Sequence, residues 1–356
     1  MVKIKIACPV CGTALQCDQR QRGEKIKCPH CKELILIPPF PLAGKVTLKL
    51  RRSRHKFVLF AGIPILFLVV AIAGMWVFDP VRVHWPDRRP IGELFLASDS
   101  SSSAKNPRGW FNDPNLDITG PGGTQRFRKA LLDYTDRSIT NLKRAGAQGV
   151  IVWDLEGEQL PHKITYIGDP RLLDRLAPEM SVVADEFFGR LRSAGFKVGM
   201  TIRPQQFTLV GLPRQMQVLN IKRILLQKID YAKARWGATI FYIDSTGGIR
   251  RPDEVAQLRS LAEARPDVLL IPEHHYLPYW EFSAPYNALR KGDGGITEGM
   301  AQTIFPGAFE ALDISDASDE TDKITAAWLQ GDILLFRAWE WGAEGQILER
   351  LAHQSH

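Results

Sequence analysis

The sequence predicts an α/β protein whose main body, residues 85–356, is a (β/α)8 barrel. Three observations carry this. Short apolar runs recur seven or eight times after residue 92. Amphipathic stretches of helical period lie between most of them and end in glycine, the usual helix stop. Nearly every run finishes in an ionisable residue, as strands do where they open into the βα loops.

In chain order the runs are ELFLAS (93–98), GVIVWDLE (149–156), KVGMTIRP (197–204), ATIFYID (238–244), VLLIPE (268–273), AQTIFP (301–306), FEALDIS (309–315) and DILLFRAW (332–339). QRFRKALLDYTDRSITNLKRAG, SVVADEFFGRLRSAG and VLNIKRILLQKIDYAKARWG are the clearest intervening helices. A doubly wound open sheet is the alternative arrangement. No G-x-G-x-x-G follows a strand, so nothing points to a dinucleotide.

Three shorter segments precede the barrel. Residues 1–40 hold all five cysteines. Cys8, Cys11, Cys28 and Cys31 form two C-x2-C turns separated by sixteen residues, a spacing that brings four thiolates to one tetrahedral ion. The segment resembles a zinc ribbon, and the resemblance implies a structural zinc and a docking role toward a protein partner. Cys17 falls outside the spacing. Residues 41–56 are a basic linker, and residues 57–78 are 22 residues without a charge, long enough for one transmembrane helix. The basic cluster before this stretch predicts a cytoplasmic N-terminus, which puts the barrel on the far side of a bacterial cytoplasmic membrane as the ectodomain of a single-pass protein.

The charge distribution agrees with that division. The chain of 356 residues carries a formal net charge of +7. Residues 1–56 hold 13 Lys/Arg and 3 Asp/Glu, a net of +10; the remainder holds 33 basic and 36 acidic residues, a net of −3. The barrel therefore has no electrostatic case for nucleic acid.

If the runs are barrel strands, their terminal residues ring one mouth. These are Asp99, Asp154 with Glu156, Arg203, Asp244, Glu273 with His274, Asp313 with Asp316, and Arg337 with Trp339. Each carboxylate alone also fits a helix N-cap, but the ring as a whole describes a polar pocket. Alternation places Ile240, Tyr242 and Asp244 on one face, Gly199, Thr201 and Arg203 on one face, and Asp154 with Glu156. The long loop at 98–124 and the aromatics Trp110, Phe111, Trp153, Tyr276, Tyr279, Trp280, Trp339 and Trp341 are candidate stacking faces for sugar rings.

Asp244 and Glu273 on neighbouring strands are the equipment of glycoside hydrolysis. By strand position the barrel resembles the α-amylases, which carry an Asp nucleophile after strand four, a Glu acid/base after strand five and a third Asp after strand seven. The resemblance implies Asp244 and Glu273 as catalytic residues and Asp313 or Asp316 in the third place. Asp99, Asp154, Glu156, Arg203, Tyr242, His274, Asp313 and Trp339 are the expected substrate-binding set, and an oligo- or polysaccharide is the expected partner. The chain departs from the α-amylases at Tyr242, where they have arginine, and in lacking their Asn-His pair near strand three. The stretch from GVIVWDLEGEQLPHKITYIGDPRLL to KVGMTIRPQQ resembles an uncharacterised bacterial family of glycoside-hydrolase-like barrels. Two other readings stay open: a non-catalytic glycan-binding or sensory barrel coupled to the ribbon, and a metal-dependent hydrolase using Asp244, Glu273, His274 and Asp154. No cofactor is expected in the barrel.

Overall fold

The computed structural model describes residues 3–7, 13–18, 25–32, 34–36, 83–97, 102–157, 167–209, 214–247, 252–289 and 298–354. The linker at 41–56, the apolar stretch 57–78, Cys8, Cys11 and Asp99 lie outside the described residues. The chain divides into two units, Met1–Trp76 and Val77–His356.

The second unit holds eight parallel strands: β1 Ile91–Phe95, β2 Gly149–Trp153, β3 Lys197–Ile202, β4 Ile240–Ile243, β5 Leu269–Pro272, β6 Tyr286–Ala288, β7 Ala311–Asp313 and β8 Ile333–Arg337. They pair in the order β5-β4-β3-β2-β1-β8-β7-β6. Between the two end strands, Ala284, two residues before β6, donates its N–H to the Leu270 carbonyl of β5. The sheet is thus a nearly closed barrel. Helices α1 Gly123–Arg144, α2 Pro178–Ser193, α3 Ile221–Trp236, α4 Pro252–Ala264, α5 Glu298–Ile304, α6 Thr321–Gln330 and α7 Ala343–Gln354 return the chain between strands or follow the last one.

Alternation along each strand sorts the apolar side chains into two cores. One fills the barrel with Ile91, Ile151, Ile240, Tyr242, Leu269, Ile271, Ala311, Ile333 and Leu335. The other packs Leu94, Val150, Val152, Val198, Met200, Phe241, Ile243, Leu270 and Phe336 among the helices. Gly199 is needed inside because a Cβ there would lie 2.3 Å from the Ile240 carbonyl oxygen. Trp85 closes the lower end, its indole N–H donating to Gln148 Oε1 at 2.9 Å.

Two expectations fail. AQTIFP is not a strand: its first four residues close α5, and β6 is instead the three-residue segment Tyr286–Ala288. Trp110 and Phe111 are not stacking faces. Trp110 is fully buried, held by Asn106 and by its indole N–H on Glu179 Oε1 at 2.8 Å, and Phe111 packs on Phe127 and Tyr134. Tyr279 and Trp280 are core as well.

The first unit contains two antiparallel pairs of strands, Lys3–Ala7 with Ala14–Asp18 and Lys25–Lys27 with Leu34–Leu36. Cys28 and Cys31 stand in the turn of the second pair, Cys28 buried. The Lys32 N–H bonds back to the Cys28 carbonyl at 2.9 Å, with Lys32 left-handed at φ 66°. Among the described residues no helix is long and apolar enough to cross a membrane.

Candidate active site

The register of the parallel strands builds the site. Ile202 of β3 stands beside Ile243 of β4, and Ile243 stands beside Pro272 of β5. The ladder runs one residue further: the Asp244 N–H donates to the Ile202 carbonyl and the Glu273 N–H to the Ile243 carbonyl. Arg203, Asp244 and Glu273 therefore lie abreast on three adjacent strands. All three share the inward parity of Thr201, Tyr242 and Ile271. Strands so paired are about 4.8 Å apart, so such side chains must touch or pair.

They do. Arg203 Nε donates to Asp244 Oδ2 at 2.5 Å, both side chains mostly buried. The Ser245 hydroxyl donates to the same oxygen at 3.3 Å. The Asp244 and Glu273 carboxyls lie within hydrogen-bonding reach of each other. Glu273 Oε2 also accepts the Ser245 N–H at 2.6 Å, a bond made possible by the left-handed backbone of Ser245, φ 61°. Burial first, and then the neighbouring Asp244 charge, hold Glu273 above the usual carboxylate range; the Ser245 N–H and His274 oppose this. Two carboxyls brought this close disfavour both being charged at once. One member can then attack or accept while the other donates.

A second acidic group faces it across the barrel. Glu93, an inward residue of β1, is fully buried and accepts the Trp153 indole N–H at 3.2 Å. Burial and the charge of Asp313 push its pKa well up. Tyr286 donates its hydroxyl to Asp313 Oδ2 at 2.9 Å. Burial, Asp313, Glu93 and Glu273 all raise the Tyr286 pKa, which sets this phenol between the two acidic pairs. A run of aromatics lines the same level: Trp339 meets Phe95 edge-on, Phe95 stacks on Trp153 at 4.9 Å, and Trp153 meets Tyr242 at 4.5 Å. Phe95, Trp153 and Trp339 remain partly exposed.

The remaining predicted residues separate. Asp154 and Glu156 do not share a strand face, because β2 ends at Trp153 and Asp154 turns left-handed, φ 59°. Trp153, not Asp154, carries the inward parity. Asp154 stays near the mouth, accepting the Ala97 N–H at 3.4 Å; burial pushes it up to about 8, with Glu156 and Asp244 adding and Arg203 opposing. Glu156 turns away and accepts the Asp169 N–H at 2.8 Å. His274 lies near enough to Glu273 to favour its charge, whereas His275 is buried beside Glu310, at 2.5 Å. Arg337 is engaged by Asp316 in two bonds of 2.9 and 2.7 Å. Among the described residues no three His, Cys, Asp or Glu side chains converge as a metal-ligand set.

No protein-family model matches the chain, and no curated protein matches it in sequence. Solved structures of similar shape include an α-L-fucosidase at 11% identity, covering 77% of this chain and 75% of that one with a TM-score of 0.42. A noncanonic maltogenic α-amylase from Thermotoga neapolitana is 12% identical over 75% of this chain and 76% of its own, TM-score 0.45. An α-amylase from Malbranchea cinnamomea is 11% identical over 75% and 77%, TM-score 0.45.

Proposed function

We propose that the barrel is a glycoside hydrolase acting on an oligo- or polysaccharide, with Asp244 as nucleophile and Glu273 as acid/base. The observation that carries this is the register that sets the two carboxyls abreast at the ends of β4 and β5. Inverting enzymes hold their carboxyls roughly 6.5–9.5 Å apart to seat a water, while retaining ones bring them to about 5 Å. Carboxyls on adjacent, directly paired strands favour the retaining course. Asp244 attacks the anomeric carbon as the glycosidic C–O bond breaks, and the leaving oxygen takes the Glu273 proton. Water then displaces Asp244 and gives its proton back to Glu273. Arg203 Nε bonds Asp244 Oδ2 and orients the carboxyl for the attack. The burial and like charge that raise Glu273 suit the donor role. Asp313, braced by Tyr286, is the third carboxyl on the opposite side of the ring, and the Trp339–Phe95–Trp153–Tyr242 run offers the apolar face a sugar ring stacks on.

The N-terminal part extends the reading. Cys28 and Cys31 sit in a turn between paired strands, and by the two C-x2-C spacings they would share a tetrahedral zinc with Cys8 and Cys11. Residues 57–78 are proposed to cross the cytoplasmic membrane once, with the ribbon inside to dock a protein partner and the barrel outside.

A panel of aryl glycosides tests the activity. Release of the phenol by the wild-type chain and its loss in Asp244→Asn support the assignment. Saccharide binding without turnover favours the binding-protein alternative, and turnover unchanged in Asp244→Asn removes Asp244 from the mechanism.

A further inference from the structure

Helix α3 turns a face of Ile221, Ile224, Leu225, Ile229, Ala232 and Trp236 into the core, and in the middle of it stands Lys228, with no exposure at all. An ammonium in such a place must have its donors satisfied. Lys228 has three, and three backbone carbonyls receive them: Gly168 at 2.8 Å, Arg203 at 2.7 Å and Gln205 at 2.9 Å. The Asp169 carboxylate stands 3.7 Å away. Two of these carbonyls belong to the turn that leaves β3, which also carries the Arg203 side chain. The third ties in the loop before α2.

That loop touches Arg203 directly. Gly168 is left-handed, φ 64°, and accepts the Arg203 N–H on the same carbonyl that Lys228 holds. A Cβ on Gly168 would lie 2.7 Å from the Arg203 nitrogen. On its other side the loop is braced by Glu156, which accepts the Asp169 N–H, and by Arg171 on the Asp169 carboxylate. Hydrogen bonds and one ion pair therefore run from Glu156 through Asp169 and Lys228 to the backbone of Arg203, and from its guanidinium to Asp244.

We propose that Lys228 is a positioning residue of the carboxyl pair, fixing the backbone from which Arg203 reaches Asp244. This rests on the reading of Asp244 and Glu273 as the reacting pair. Burial lowers the Lys228 pKa to about 8, with Asp169 opposing, so the ammonium is in place at neutral pH. It touches neither carboxyl and acts only through Arg203.

The test reads a proton rather than turnover, so a chain that cleaves no glycoside leaves it intact. Difference infrared spectroscopy on the purified full chain follows the carboxyl band of the Asp244–Glu273 pair against pH, assigned by its loss in Glu273→Gln. Asp154, His274 and Tyr286 also face the pair and are unchanged in every variant compared. Arg203→Met removes the nearest cation and raises the pH at which the pair loses its proton. Lys228→Met, close in length but uncharged, shifts the midpoint in the same direction, and the double variant shifts it no further than Arg203→Met alone. On any aryl glycoside that the wild type cleaves, Lys228→Met lowers kcat about 10- to 100-fold with KM held. Gly168→Ala keeps every charge and displaces the same turn; it too raises the midpoint, and it serves if Lys228→Met does not fold. A wild-type midpoint in Lys228→Met or in Gly168→Ala, or full additivity in the double variant, overturns the proposal.

Discussion

Replacing Arg203 by methionine is the perturbation whose size follows most directly from the geometry. The Arg203 and Asp244 side chains keep only 15% and 12% of their exposure. Deleting one partner of a buried ion pair costs about 3–5 kcal/mol, because the other is left buried and uncompensated. Here the stranded charge has a remedy. Glu273 stands abreast of Asp244, and without the guanidinium the pair can take up a proton instead. The loss of stability is therefore about 2–3 kcal/mol near neutral pH, below the usual range for a buried pair. The guanidinium favours the ionised pair, so its contribution is present above the pair's pKa and fades as pH falls through it. Urea unfolding of wild type and Arg203→Met, followed by tryptophan fluorescence at mildly alkaline and at mildly acidic pH, measures the gap. It narrows at acidic pH. A gap independent of pH, or wider in acid, would falsify the proton-sharing account.

Other expectations follow from the same structure. Glu273→Gln removes the raised acid, so kcat on glycosides with poor leaving groups falls about 10²–10⁴-fold and the alkaline limb of the pH profile disappears, while activated aryl glycosides still glycosylate Asp244; a limb unchanged in the variant assigns the acid elsewhere. Gly199→Ala drives a methyl into the Ile240 carbonyl and destabilises the barrel by about 1–3 kcal/mol or more, read as a lower urea midpoint; an unchanged midpoint contradicts the packing. Tyr286→Phe takes one hydrogen bond from half-buried Asp313 and costs about 1 kcal/mol, with the Tyr242 contact kept; a variant as stable as wild type means that water replaces the phenol fully. Elemental analysis of the full chain finds one zinc, lost in Cys28→Ser; a metal-free wild type ends the ribbon reading.

Much of the barrel is legible in the sequence because its strands are buried on both faces and read as apolar runs. β6 is not, since its three residues, Tyr-Asn-Ala, make no run, while the AQTIFP run that mimics a strand is mostly the last turn of a helix. Parity alone aligned Tyr242 with Asp244 and Thr201 with Arg203. It failed at Asp154 and Glu156 because one left-handed residue breaks the alternation. The row Arg203–Asp244–Glu273 depends on the register between strands, which the sequence does not carry. Glu93 went unread because it stands inside its strand rather than at the end. Its signal was an acid within the apolar run IGELFLA. Lys228 left a similar trace, a lysine on the apolar face of a helix.

On the proposed assignment Asp244 is the nucleophile and Glu273 the acid. A mechanism-based 2-deoxy-2-fluoro glycosyl fluoride, matched to whichever aryl glycoside is cleaved, traps the covalent intermediate for peptide mass spectrometry. The account predicts one glycosyl group per chain on the peptide that carries Asp244, more persistent in Glu273→Gln. A label on Asp313 or Glu273, or turnover with no trapped intermediate, contradicts it.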